Sequence, residues 1–169
     1  MSFCVPKIKK IAGQWSPKGD KSISHRALIL SSLAQGKSEI SHFLKCEDTL
    51  ATARALKMMS IEIQEEKGKL YVEGRGRRGL KKPTHVLDIG NSGTTLRLLT
   101  GILSAQPFSS VITGDETILR RPMKELVQAL RSMGATIESQ HEELYAPLQI
   151  GAIEKPLRVV EEEPAKRRV

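Results

Sequence analysis

The chain has 169 residues, 39% of them apolar and 27% charged, with a formal net charge of +8. That is enough for one domain with its own core or for part of a larger one, and it excludes a low-complexity coil. The basic balance suits nucleic acid, an anionic membrane surface or small phosphorylated and carboxylated substrates. The basic runs Arg75 to Lys82 and Lys166 to Arg168 lack the interleaved aromatics that would favour a nucleic-acid groove. Two cysteines, Cys4 and Cys46, have neither metal-ligand spacing nor a disulfide framework. No apolar run reaches membrane-spanning length, and the opening residues lack a signal peptide's apolar core. A cytosolic monomer without membrane or nucleic-acid partners is the expectation.

Residues 3–16 read as one or two short extended segments punctuated by Pro6 and Gly13. A turn-rich approach leads into a helix from about Ser22 to Gln35, closed by Gly36. That helix is apolar nearly all round, at Ala27 to Leu30 and Leu33-Ala34, so it is expected to be buried. A strand from Ser38 to Phe43 precedes a second helix, Glu47 to Met59, with Asp48 or Thr49 near its start. Ile61 and Ile63 then face Leu70 to Val72 across a Glu66-Lys67-Gly68 turn. The Gly-rich basic stretch from Gly74 to Pro83 reads as a linker.

The same grammar then recurs, with strand 85–89, helix 92–105, strand 108–113, helix 122–133 and a hairpin at 135–149. An offset of 71 residues pairs Asp20 with Asn91, Ser24 with Thr95 and Arg26 with Arg97. An offset of 74 pairs Leu56 with Leu130 and Tyr71 with Tyr145. Two copies of a strand–helix–strand–helix–hairpin unit follow, about 16–74 and 84–150. Such units stack with helices inside and sheets outside, an inside-out α/β fold. The remainder, 151–169, fits neither copy and is expected to be poorly ordered.

Two stretches could carry chemistry. In Gly90-Asn91-Ser92-Gly93-Thr94-Thr95 a strand passes into a helix through two glycines and three hydroxyl residues. Glycine admits a ligand close to the backbone, and a helix start points free N–H groups at an anion. An ordinary turn with a capping hydroxyl accounts for the same residues. Lys21, Ser22, Ser24 and Arg26 gather two cations and two hydroxyls at the first long helix, where charge-assisted bonds and the helix dipole favour an anion. The alternative there is a Ser22 cap flanked by solvent charges. A P-loop is rejected, because Asp20 separates Gly19 from Lys21 and position 14 is Gln. Arg121, before Pro122 at the first helical position, offers a planar fork to a carboxylate or phosphate, and an exposed helix-start arginine accounts for it equally well. His25 and the Asp115-Glu116 pair are candidate proton carriers. A satisfied histidine and a solvated loop are the plainer readings of them.

Three of these segments, 19–36 (GDKSISHRALILSSLAQG), 88–103 (DIGNSGTTLRLLTGIL) and 120–135 (RRPMKELVQALRSMGA), resemble the 5-enolpyruvylshikimate-3-phosphate (EPSP) synthase family in order and near spacing. The likeness covers about residues 8–150. It implies transfer of the enolpyruvyl group of phosphoenolpyruvate to the 5-hydroxyl of shikimate 3-phosphate, with phosphate released and no metal or cofactor. By motif, Lys21, Ser22 and Arg26 would hold shikimate 3-phosphate, and Lys21 would also act in catalysis. Lys21, Asn91, Gly93, Thr94 and Arg121 would hold phosphoenolpyruvate. The family pattern has two domains of three units each, so this chain resembles an amino-terminal part. Residues 1–15 would belong to the other domain, and 16–150 to the shikimate-phosphate-binding domain. The family's aspartate base and second arginine pair have no counterpart here, and Leu119 stands where one arginine is usual. A module that binds a phosphorylated metabolite without turnover is the alternative function.

Overall fold

The computed structural model describes residues 7, 10, 12–14, 16–139, 142 and 144–159. Most of the extended segments expected at 3–16, and residues 160–169 of the tail, lie outside the described residues. The first half comprises α1 (Lys21–Leu33), β1 (Gln35–Ile40), α2 (Glu47–Met58), β2 (Glu62–Glu66) and β3 (Lys69–Arg75). The second comprises β4 (Leu87–Asp88), α3 (Gly93–Leu103), β5 (Ser110–Thr113), α4 (Lys124–Ser132), β6 (Ile137–Glu138) and β7 (Leu148–Ile150).

Each half builds its own sheet, in the order β1-β3-β2 and β4-β5-β7-β6. In both, the strand after the first helix pairs antiparallel with the second strand of the hairpin, as β1 with β3 and β5 with β7. The β2–β3 turn places Lys67 at φ 49° and Gly68 at φ 76°. Two successive positive φ values match the twist of a tight hairpin, so the Glu66-Lys67-Gly68 expectation holds. β4 joins β5 in parallel, with Leu87 opposite Ile112.

The helices meet between the sheets. α1 packs on α2, α2 on α3, and α1 also touches α3. Leu28, Leu56, Leu96, Leu99 and Leu103 are fully buried at 0% exposure, and Val72, Ile112 and Leu148 close the core from the sheets. The apolar spacing of α3, with Leu96, Leu99 and Leu103 inward, is that of a helix with one buried stripe.

Four expectations need correction. α1 is not buried all round: Leu28 and Ile29 point inward, but Ile23 and Leu30 are 69% and 66% exposed. A helix in contact on one side buries only the residues at helical spacing on that side. Gly36 does not close α1. The helix ends at Leu33, where the Ala34 N–H donates to Leu30 O at 2.9 Å, and Gly36 lies inside β1 at φ +88° opposite Gly74. β1 starts so soon because Gln35 is already paired to Arg75. Pro122 is not the first residue of α4, which begins at Lys124 with Met123 as its N-cap. The stretch 74–83 is no free linker: Gly74 and Arg75 finish β3, Leu80 is buried, and Lys81 N–H donates to Met59 O at 3.0 Å.

Candidate functional site

α1 starts on Asp20, whose carboxylate accepts from the Ile23 N–H at 2.8 Å. α3 starts on Ser92, whose hydroxyl accepts from the Thr95 N–H at 3.3 Å. Both caps are side chains that bond the third helical amide, a standard device for an orphan donor. The two starts therefore align Asp20 with Ser92, one residue along from the Asp20–Asn91 pairing expected from sequence. Ser22 and Thr94 then occupy the same second helical position, and neither backbone N–H has a hydrogen-bond partner among the described residues. Asp20 is the cap, so the Ser22 hydroxyl is left exposed and unused by the helix.

These starts lie at one pole of the molecule, joined through α2. Lys21 Nζ donates to Asp48 Oδ2 at 2.7 Å, and Thr95 Oγ1 donates to Asp48 O at 3.2 Å. The Asp48 carboxylate beside Lys21 raises that ammonium above its ordinary value and keeps it charged. Asp48 is the site residue that sequence reasoning missed. Its only sequence signal was a place near a helix start, which says nothing about neighbours 27 and 47 residues away. Arg26 lies on the exposed side of α1, where its Nη1 donates to Ser22 O at 3.1 Å. Ser24 does something else: it is buried, and its Oγ accepts from Leu44 N–H at 2.9 Å.

Around the second start, the chain turns at Gly90 with φ +57°, and Gly90 N–H donates to Asp88 Oδ1 at 2.9 Å. The next loop is laced against it. Asp115 N–H donates to Gly90 O at 2.9 Å, and a Cβ on Gly114 would stand 2.3 Å from that same oxygen. Only a glycine at 114 permits so close an approach. Asp115 then organises the turn toward Arg121. Its carboxylate accepts from the Thr117 hydroxyl at 2.6 Å and from the Thr117 and Ile118 N–H groups. Those bonds, the Thr117 hydroxyl first, hold the Asp115 carboxyl below its usual range. It is thus a structural anion rather than half of an acid pair.

The turn delivers Arg121 onto Gly93. A Cβ built on Gly93 would lie 2.6 Å from Arg121 Nη1 and 3.3 Å from Cζ. The absent side chain at 93 is therefore the space that the guanidinium uses. Arg97 steadies the same loop from α3, with Nη2 donating to Pro122 O at 3.2 Å. Asn91 is exposed beside the turn.

His25 is fully buried, with Nδ1 2.8 Å from Thr52 Oγ1. Burial pushes its imidazole below the ordinary value. That leaves it among the core side chains, where it cannot reach a substrate as a base. A concavity of about 630 Å³ lies at the other end of the second sheet, lined by Lys82, His85, Ser110 and Glu138 among others. None of the residues at the helix starts lines it. One of about 310 Å³ adjoins the α1 start, along Gly19, Asp20, Ile23 and Ser24. Among the described residues, no group of three or more His, Cys, Asp or Glu could hold a metal ion. No described helix is long and apolar enough to cross a membrane.

Two sheets around a helical core, with two helix starts, cations and glycines gathered about Asp48, define an α/β protein. Its particular kind follows from comparison with known proteins. Residues 5–162 match the family model for EPSP synthase (3-phosphoshikimate 1-carboxyvinyltransferase). The chain belongs to that family. It is 45% identical to the 3-phosphoshikimate 1-carboxyvinyltransferase of Desulforamulus reducens over 159 residues, 93% of this chain and 37% of the relative. Against the enzyme of that name from Herpetosiphon aurantiacus it is 47% identical, over 89% of this chain and 35% of the relative. The solved EPSP synthase of Acinetobacter baumannii superposes with a TM-score of 0.78 at 43% identity, covering 82% of this chain and 32% of that one. The chain thus spans about a third of the length of the curated relatives it matches.

Proposed function

We propose that this chain carries the substrate-phosphate face of an EPSP synthase. In that reading the enolpyruvyl group of phosphoenolpyruvate passes to the 5-hydroxyl of shikimate 3-phosphate, and phosphate leaves. Lys21, Ser22 and Arg26 take shikimate 3-phosphate at the α1 start, within a domain of residues 16–150. Asn91, Gly93, Thr94 and Arg121, with Lys21 between, take phosphoenolpyruvate at the α3 start. Both ligands bear phosphate and carboxylate, so cations and unpaired amides have partners at both places.

The observation that supports this best is Arg121 lying over Gly93, next to the Thr94 N–H, which has no partner among the described residues. A planar fork close to a helix-start amide suits an oxyanion. Addition of the hydroxyl to the enolpyruvyl carbon and loss of phosphate pass through a charged tetrahedral species. Donors fixed before the reaction stabilise such charge without reorganising. In this reading Lys21 serves both ligands, a role supported by its place at the first position of α1 and its bond to Asp48, whose backbone oxygen meets Thr95 of α3.

Calorimetry with shikimate 3-phosphate tests the reading. The chain is expected to bind it, and Lys21→Ala and Arg26→Ala each to weaken binding about tenfold or more, as for loss of a charge-assisted bond. Undiminished binding by both variants would remove the first seat. A phosphate-release assay with both substrates then separates the two functions weighed from the sequence. Turnover marks an enzyme, and binding without release marks a module that only holds the ligands.

A further inference from the structure

A row of buried polar side chains joins α1 to the start of α3. His25 Nδ1 lies 2.8 Å from Thr52 Oγ1, which lies 2.7 Å from Thr95 Oγ1, which lies 2.6 Å from Ser92 Oγ. His25, Thr52 and Thr95 are 0% exposed and Ser92 1%. The row begins on α1, crosses α2 and ends on the cap of α3. We propose that Thr52, backed by His25, is a positioning residue that fixes the α3 start, and with it the Gly93-Thr94 backbone. This rests on reading the α3 start as a ligand seat.

The hydrogens of the row can be counted. Thr95 Oγ1 faces two hydroxyl oxygens and the Asp48 carbonyl, and a carbonyl can only accept. If Thr95 donates to Asp48 or to Ser92, Thr52 must donate to Thr95, and His25 must donate from Nδ1 to Thr52. If Thr95 donates to Thr52 instead, Thr52 donates to Nδ1 and the proton sits on Nε2. His25 Nε2 is buried with no partner among the described residues. An orphaned buried N–H is rarer than an orphaned acceptor, so the Nδ1–H form is the one selected. The donors then run from His25 through Thr52 to Thr95, whose proton goes to Asp48 O, and the Ser92 hydroxyl donates to Thr95 from the other side. Such a row holds only one relative placement of the three helices, because each O···O distance is short and the space is packed.

Thr52→Val keeps the shape and removes the bond. It is expected to shift the backbone amide resonances of Gly93 and Thr94 in the ligand-free protein and to weaken phosphoenolpyruvate binding about tenfold. Thr52→Ser restores both to within about twofold of the parent. His25 should show ring nitrogen shifts of an Nδ1–H imidazole in the parent chain and lose that bias in Thr52→Val. A hydroxyl that only stabilised the fold would lower the melting temperature and leave the affinity and those amides unchanged. Unmoved Gly93 and Thr94 amides in Thr52→Val overturn the proposal, as does a Thr52→Ser variant as impaired as Thr52→Val. A parent chain that does not bind phosphoenolpyruvate would count against the seat instead, while the ligand-free amides still decide the positioning. If Thr52→Val does not fold, His25→Phe breaks the row at its other end and must move the same amides.

Discussion

Gly93→Ala separates what the second helix start does for the fold from what it does for a ligand. The new Cβ would stand 2.6 Å from Arg121 Nη1, against roughly 3.5–4.0 Å for ordinary heavy-atom contact. The guanidinium must therefore retreat by about 1 Å. Arg121 is exposed, so its side chain has room to swing and the fold should absorb the methyl. Gly93 is the first helical residue with no positive φ, and alanine there contributes about 0.4–1 kcal/mol by restricting the unfolded chain. Stability is thus expected to stay level or rise slightly. Binding should suffer, because a displaced guanidinium gives up a charge-assisted bond of about 1.5–3 kcal/mol, or roughly 10- to 150-fold in affinity. Thermal unfolding and calorimetry with phosphoenolpyruvate, on the same samples, read the two effects. Arg121→Ala should be as weak, and the double variant little weaker than either single one, since both remove one interaction. A loss of more than about 1 kcal/mol in stability would show that Arg121 cannot move aside. Unchanged affinity would show that Gly93 and Arg121 do not form one seat.

Two further outcomes follow from burial. Burial lowers the pKa of His25 in the folded protein, so the unfolded state takes up its proton first as pH falls. Its contribution is complete above about pH 6.5 and is lost as pH drops toward the lower folded-state value, at up to about 1.4 kcal/mol per pH unit. Urea unfolding of the parent and of His25→Gln between pH 7.5 and 5.5 measures this, and equal slopes would refute it. On α1, Leu28→Ala should cost about 2–5 kcal/mol because Leu28 is at 0% exposure, whereas Leu30→Ala, at 66%, should cost less than about 0.5 kcal/mol. Similar losses in denaturant unfolding would mean that something covers the outer face of α1.

Local spacing made much of the molecule legible. The Lys67-Gly68 hairpin, the two sheet-and-helix halves and the helix starts near Lys21 and Gly93 follow from turn residues, caps and apolar periods within a few positions of one another. The errors also lie where a local rule met a distant partner. Gly36 looked like a helix stop, but the ladder to Gly74 had claimed it for β1. The alternative reading of Ser22 as a cap fails in the same way, because Asp20 does that work two residues earlier. The apolar surface of α1 looked uniformly buried, because a sequence shows how many faces are greasy and not how many neighbours arrive.

The sequence by itself therefore determined which residues could meet an anion: cations and hydroxyls at two helix starts, with glycines beside the second. Only the tertiary structure decided that the two starts share one pole, through Lys21 and Thr95 meeting on Asp48, and that Arg121 occupies the space Gly93 leaves empty. The division has a physical cause. A cap or turn is decided by atoms within one helical turn of chain, whereas these contacts join residues 27 and 47 positions apart. Their geometry is set by strand register and helix packing, which depend on the whole core at once.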